Sequence, residues 1–161
     1  VNNAGSAVRR SAFLDIDEEL WEKTFDINVK SMYLVSQAVL KHMVARKSGK
    51  IINISSVAAR RGGPGDSVHY AASKGAVNTM TVGMAKEFAP YGILINGIAP
   101  GIILTPFQEK FSTQERVDRI IPTIPLKRAG TGEEIAEMIA FLASDSANYI
   151  MGEIFTVSGG R

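Results

Sequence analysis

Cysteine is absent from the chain, which excludes disulfides and thiolate metal sites and leaves no redox chemistry of its own. Histidine is almost as scarce. Its two copies, His42 and His69, lie far apart and lack the spacing of zinc ligands, so no metal site is expected. No apolar run approaches the ~18 residues of a membrane span, and no signal peptide opens the sequence. The expectation is a cytoplasmic protein without membrane attachment. Neither charge sign dominates: 18 basic residues face 16 acidic ones, for a net charge of +2. Arg60-Arg61 and Lys127-Arg128 are too short to form a nucleic-acid patch and read as solvated loop charges. Internal repeats and low-complexity stretches are also missing.

What is present is ordinary for a soluble globular protein, with 45% hydrophobic and 21% charged residues over 161 positions. That length suits a single domain, residues 1–161.

The N-terminal Val1-Asn2-Asn3-Ala4-Gly5 reads as the end of a buried strand followed by a tight turn. Gly5 suits a close backbone approach, and asparagine amides can bridge backbone or ligand groups. With almost no strand before it, the sequence is expected to begin in mid-domain. From about Asp17 to Ala45 one long helical pattern follows. Asp17, backed by Glu18 and Glu19, is the cap. Trp21, Phe25, Met32, Val35, Val39 and Met43 recur at helical spacing and predict the buried stripe. Asn28 falls within that stripe, and a buried amide needs partners. It either ties neighbouring backbone together or holds a water beside a site, and the helix by itself favours the tie.

Ile51-Ile52-Asn53-Ile54 is a short apolar run like a parallel strand buried on both faces. It ends in Ser55-Ser56, where open α/β sheets bind ligands, although Ser/Thr clusters also simply end strands. Val57 to Val68, with Gly62, Gly63, Pro64 and Gly65, is expected to be loop. The next helix runs to about Ala89 and stops at Pro90, with Val77, Met80, Met84 and Phe88 as its apolar stripe. Small residues at Ala71, Ala72, Gly75 and Ala76 permit close packing and leave nothing bulky over its Tyr70 end. Ile93 to Ile98 is another strand, so strand, helix and strand imply a right-handed parallel crossover. Ile102 to Ile124 shows no clean period and reads as an apolar, mobile flap over the strand ends, or as a helical insertion. It offers no evident arginine clamp for a carboxylate. Thr131 and Glu134 have capping-box spacing and open a helix ending near Ala143. Glu153 to Val157 is the last strand, before the turn Ser158-Gly159-Gly160.

Tyr70 and Lys74 stand at i and i+4 on one helix, so phenol and ammonium can point into the same space. A free tyrosine titrates near pH ~10, and a nearby cation favours the phenolate. Such a pair can exchange a proton with an alcohol or a carbonyl. By itself Tyr-x-x-x-Lys also arises by chance in many helices.

Asn2-Asn3-Ala4-Gly5, Asn28, Ile54-Ser55-Ser56, Tyr70 with Lys74, Pro100-Gly101 and Ser158-Gly159-Gly160 occur in this order. In that combination the chain resembles the short-chain dehydrogenase/reductase family over essentially its whole length. The resemblance implies a Rossmann-like α/β fold, a doubly wound parallel sheet of which these residues supply the C-terminal half. Tyr70 would be the acid or base, Lys74 would lower its pKa and hold the nicotinamide ribose, and Ser56 would hold the substrate oxygen. Asn28 would bind a water linking Lys74 to solvent. Asn3, Ala4 and Gly5 would line the adenosine-ribose side, while Pro100, Gly101, Ile103 and Thr105 would meet the carboxamide and phosphate end of NAD or NADP.

The family's Gly-rich strand–turn–helix for the pyrophosphate and the residue that selects NAD or NADP lie outside these 161 positions. A longer polypeptide is therefore expected, since half a sheet leaves an apolar edge unpaired. The implied activity is interconversion of a secondary alcohol and a ketone, by a homodimer or homotetramer acting on a small carbonyl or alcohol substrate. The look is that of 3-oxoacyl-carrier-protein reductase and glucose-dehydrogenase-like members. A non-catalytic remnant of the fold is the competing reading. A sugar-nucleotide epimerase or dehydratase, which would need a further substrate domain, is a third.

Overall fold

The computed structural model describes residues 1–161, apart from the side chain of Glu109. Its centre is a parallel sheet in the order β1 (Gly49–Ile54), β2 (Ile93–Pro100), β5 (Ile154–Val157). Ile51 pairs with Ile95 and Ile98 with Phe155. On the far side of β1, Asn2 adds a parallel bridge to Asn53: its amide donates to the Ile52 carbonyl and its own carbonyl accepts from Ile54, both at 2.9 Å. The strands are apolar on both faces because both are covered. Ile51, Ile93 and Ile95 pack with Leu40 and Ala85 on one side, while Ile52 and Ile98 pack with Ile135, Leu142 and Ala147 on the other.

The first layer is formed by α1 (Glu18–Phe25), α2 (Ser31–Arg46) and α4 (Val68–Phe88), the second by α7 (Gly132–Ala143). Asp17 caps α1 by accepting from the Leu20 amide. The capping box of α7 is present: Thr131 accepts from the Glu134 amide and Glu134 from the Thr131 amide, while Arg128 holds the same carboxylate at 2.5 Å.

The expected stripe on the long helix is corrected. The buried positions are Leu20, Thr24, Asn28, Met32, Ser36 and Leu40, whereas Trp21 and Val35 are 40% and 52% exposed. A π-helical turn over Asp26–Lys30 separates α1 from α2. Its wider winding keeps steps of four residues on one face. The buried polar residues in the stripe are bonded: Thr24 donates to the Leu20 carbonyl at 2.7 Å, and the Ser36 hydroxyl accepts from Asn2 Nδ2 at 3.0 Å. The expected stripe is therefore right at Met32, Val39 and Met43, which are buried or pack on the core, and wrong at Trp21 and Val35.

One further expectation changes, and one open alternative is decided. The stretch 57–68 is not all loop, because α3 (Ala58–Arg61) forms one turn started by the Ser56 hydroxyl, which accepts from the Ala58 amide. The stretch 102–124 is a helical insertion containing β3 (Ile103–Leu104), α5 (Pro106–Phe111) and α6 (Gln114–Ile120). β3 pairs with β4 (Gly130–Thr131). Helices of one or two turns are too short to display a period. Pro106 at the start of α5 and Thr113, capping α6, bound them.

Candidate active site

A cavity of about 680 Å³ opens beyond the carboxyl ends of β1 and β2, under the 102–124 insertion. Crevices at this end of an open α/β sheet are where such folds take ligands. Asn3, Gly5, Ser56, Tyr70, Lys74, Pro100, Gly101, Ile103 and Thr105 all line it, whereas Ala4 and Asn28 do not.

β1 delivers two serines with different surroundings. Ser55 is buried; its amide donates to the Ile98 carbonyl at 2.7 Å and its hydroxyl to the Lys74 carbonyl at 3.2 Å, which stitches β1 to β2 and α4. Ser56 is more open, and its side chain lines the cavity beside the Tyr70 phenol.

Tyr70 sits in the first turn of α4, and Lys74 follows one turn later. The Lys74 ammonium lies 5.9 Å from the Tyr70 ring centre and donates to the Ile54 carbonyl at 2.8 Å. Burial pushes it down from 10.5 to about 8, because a charged group loses hydration in the interior. Burial also raises the Tyr70 phenol; the neighbouring Ser56 hydroxyl and the charge of Arg10 offset this only in part. Loss of hydration dominates at the phenol, and the cation that opposes it here is Arg10.

Asn28, carried by the π turn, has a complete set of partners. Its Oδ1 accepts from the Ser6 amide at 2.7 Å, while its Nδ2 donates to the Ser6 carbonyl at 2.8 Å and to the Ser73 hydroxyl at 3.0 Å. Ser73 in turn donates to the Tyr70 carbonyl at 2.7 Å. The amide therefore ties the Gly5–Ser6 turn to α4. Gly5 is needed there, since an added Cβ would lie 3.0 Å from the Lys74 nitrogen and 3.1 Å from Asn28 Oδ1.

Several contributors escaped the sequence reading. Phe107 of α5 packs on the Tyr70 ring with centroids 5.9 Å apart, so the Tyr70 end is shielded after all. His69 is fully buried, and its Nε2 lies 3.2 Å and 3.1 Å from the carbonyls of Ala7 and Arg9. Between those two carbonyls Val8 adopts φ 59°, a strained conformation for a β-branched residue. The loop so held delivers Arg10, whose guanidinium shares the Asp66 carboxylate with Arg116, at 3.1 Å and 2.9 Å. The adjacent Arg9-Arg10 pair was the one available signal, and it names neither partner. Among the described residues no group of three or more His, Cys, Asp or Glu is placed to hold a metal. Among the described residues no helix is long and apolar enough to cross a membrane.

A family model described as enoyl-(acyl carrier protein) reductase matches residues 1–161. The chain is 41% identical over 160 residues to 3-oxoacyl-[acyl-carrier-protein] reductase FabG of Thermotoga maritima, covering 99% of this chain and 64% of that protein. It is 38% identical over 164 residues to the uncharacterized oxidoreductase YgfF of Escherichia coli, covering 100% and 66%. Among solved structures, a gluconate 5-dehydrogenase from Burkholderia cenocepacia in complex with NADP and tartrate superposes with a TM-score of 0.93 at 36% identity, over 99% of this chain and 62% of that one. An acetoin dehydrogenase from Enterobacter cloacae gives 0.86 at 36% identity, over 99% and 62%. The chain thus spans just under two thirds of the length of these relatives.

Proposed function

Because the chain belongs to the short-chain dehydrogenase/reductase family, we propose that it is the catalytic portion of an NAD(P)-dependent oxidoreductase interconverting a secondary alcohol and a ketone. The observation that carries this reading is the Ser56–Tyr70–Lys74 group, gathered at the carboxyl ends of the parallel strands in one cavity. On this reading residues 1–161 form part of a single nucleotide-binding domain.

The residues fit a nicotinamide cofactor. Gly5 brings bare backbone to within van der Waals reach of Lys74. One of the three ammonium donors of Lys74 is used on Ile54, which leaves the others for ribose hydroxyls. Asn3, Ala4 and Gly5 would serve the adenosine-ribose side, and Pro100, Gly101, Ile103 and Thr105 the nicotinamide and phosphate end. The cofactor supplies the hydride. The protein's part is proton transfer and orientation. Ser56 would donate to the substrate oxygen beside the Tyr70 hydroxyl, and Tyr70 would deliver a proton to that oxygen as the alkoxide develops. A phenol carries its proton at neutral pH and can give it up in this role. Asn28 would act through the turn it anchors, keeping Gly5 and the Tyr70 end of α4 in place; a water linking Lys74 to solvent is a further part of the proposal.

Trp21, Tyr33, Leu34 and Val35 of α1 and α2 are exposed, and apolar side chains left open on these helices support a homodimer or homotetramer. Tyr70→Phe tests the central role. Turnover should fall by more than about tenfold, with cofactor affinity, read by nicotinamide fluorescence, largely retained. Retention of most of the rate would refute the assignment.

A further inference from the structure

The cavity carries a charge imbalance that proton transfer does not use. Arg10, Arg61, Lys74, Arg116, Arg119 and Arg161 line it, against the single carboxylate of Asp66 among the described lining residues. Three of these groups form a built cluster. Asp66 offers one oxygen to Arg10 and the other to Arg116, and the side chains of all three are no more than 30% exposed. The Ser112 hydroxyl lies 3.3 Å and 3.4 Å from the two guanidiniums, and Arg10 also donates to the Phe111 carbonyl. One carboxylate between two guanidiniums leaves about one positive charge unneutralised in a half-buried position, which is unfavourable unless an anion joins it.

The cluster is beside the reacting groups. Phe107 packs on the Tyr70 ring, Phe111 packs on Phe107 at 4.9 Å, and the Phe111 carbonyl accepts from Arg10. It is also set apart from the groups proposed to hold the cofactor. Lys74 and Gly5 meet Ile54 and Asn28, whereas Arg10 and Arg116 meet Asp66, α5 and the start of α6.

We propose that the substrate is a compact hydroxy acid or keto acid whose carboxylate is bound by Arg10 and Arg116, with its alcohol or carbonyl oxygen at Ser56 and Tyr70. This rests on the oxidoreductase reading and names its substrate class. Asp66 holds the two guanidiniums in place and competes with the incoming carboxylate. The insertion's Phe107 supplies the apolar wall between the two ends of the ligand. Arg116 is what the insertion contributes to this cluster.

The test is calorimetric binding of 3-hydroxybutanoate and its methyl ester, in the presence and absence of NAD and NADP. Charge-assisted hydrogen bonds of this kind separate acid from ester by roughly ten- to a hundredfold in Kd. Arg116→Gln should remove most of that preference. Asp66→Asn should increase it, a rise that merely loosening the fold would not produce. Equal affinity for acid and ester in the wild type overturns the inference. So does an Arg116→Gln variant that keeps the preference while weakening NADP, since the cations then serve the cofactor phosphate. If the acid preference and its dependence on Arg116 hold but neither cofactor supports oxidation by the full-length polypeptide, the carboxylate site stands and the oxidoreductase reading fails.

Discussion

Replacing Lys74 by methionine should make the protein more stable at neutral pH while abolishing its ability to act on substrate. Lys74 is 4% exposed, and burial is the cause that moves its ammonium from 10.5 to about 8. Each tenfold change in proton affinity is worth about 1.4 kcal/mol, so holding this side chain charged in the folded state opposes folding by roughly 3 kcal/mol at neutral pH. The hydrogen bond to the Ile54 carbonyl returns about 1–2 kcal/mol of that, leaving a net gain of ~1–2 kcal/mol for Lys74→Met. The pH dependence isolates the cause. Between the folded value of about 8 and the unfolded value of 10.5 the unfolded chain binds more protons than the folded one, so wild-type stability rises with pH across that window. From about pH 7 to about pH 9.5 the gain is about 2 kcal/mol, or some 4–8 °C in Tm for a chain of this size. Urea unfolding of wild type and Lys74→Met without cofactor, followed by circular dichroism across that range, measures it. Parallel pH profiles for the two proteins, or a wild-type profile that falls over the window, would refute the picture of a buried, destabilised ammonium.

Asn28→Ala leaves the Ser6 amide and carbonyl unpaired and takes one partner from Ser73; about 2–4 kcal/mol should be lost in chemical denaturation, and Asn28→Asp should not restore it, because an oxygen then faces the Ser6 carbonyl. Thr131→Ala breaks the capping box of α7 and should cost ~1 kcal/mol in the same assay, with faster amide exchange confined to the first turn. Gly101→Ala would place a Cβ 2.8 Å from the Ser158 backbone; cofactor affinity should fall together with ~1–3 kcal/mol of stability, and titration with NADH or NADPH fluorescence separates the two effects.

The amino-acid sequence determined whatever depends on neighbours four residues apart or fewer. Helix α4 and the placing of Tyr70 and Lys74 on one turn, the Asp17 cap, the Thr131–Glu134 box and the three apolar strands all follow from period and cap chemistry within short windows. Tertiary structure decided the rest, for reasons of distance and dielectric. The π turn at Asp26–Lys30 chose the buried face of the long helix, and with it the exposure of Trp21 and Val35. Arg10 meets a carboxylate 56 positions away, and Arg116 meets the same one across 50, so no local pattern announces their cluster. The titration of Tyr70 and Lys74 was decided in the same way. Spacing puts a phenol near an ammonium, but which protonation state is favoured depends on how much water each group loses, and that loss is set by the strands, turns and insertion that the fold packs around them.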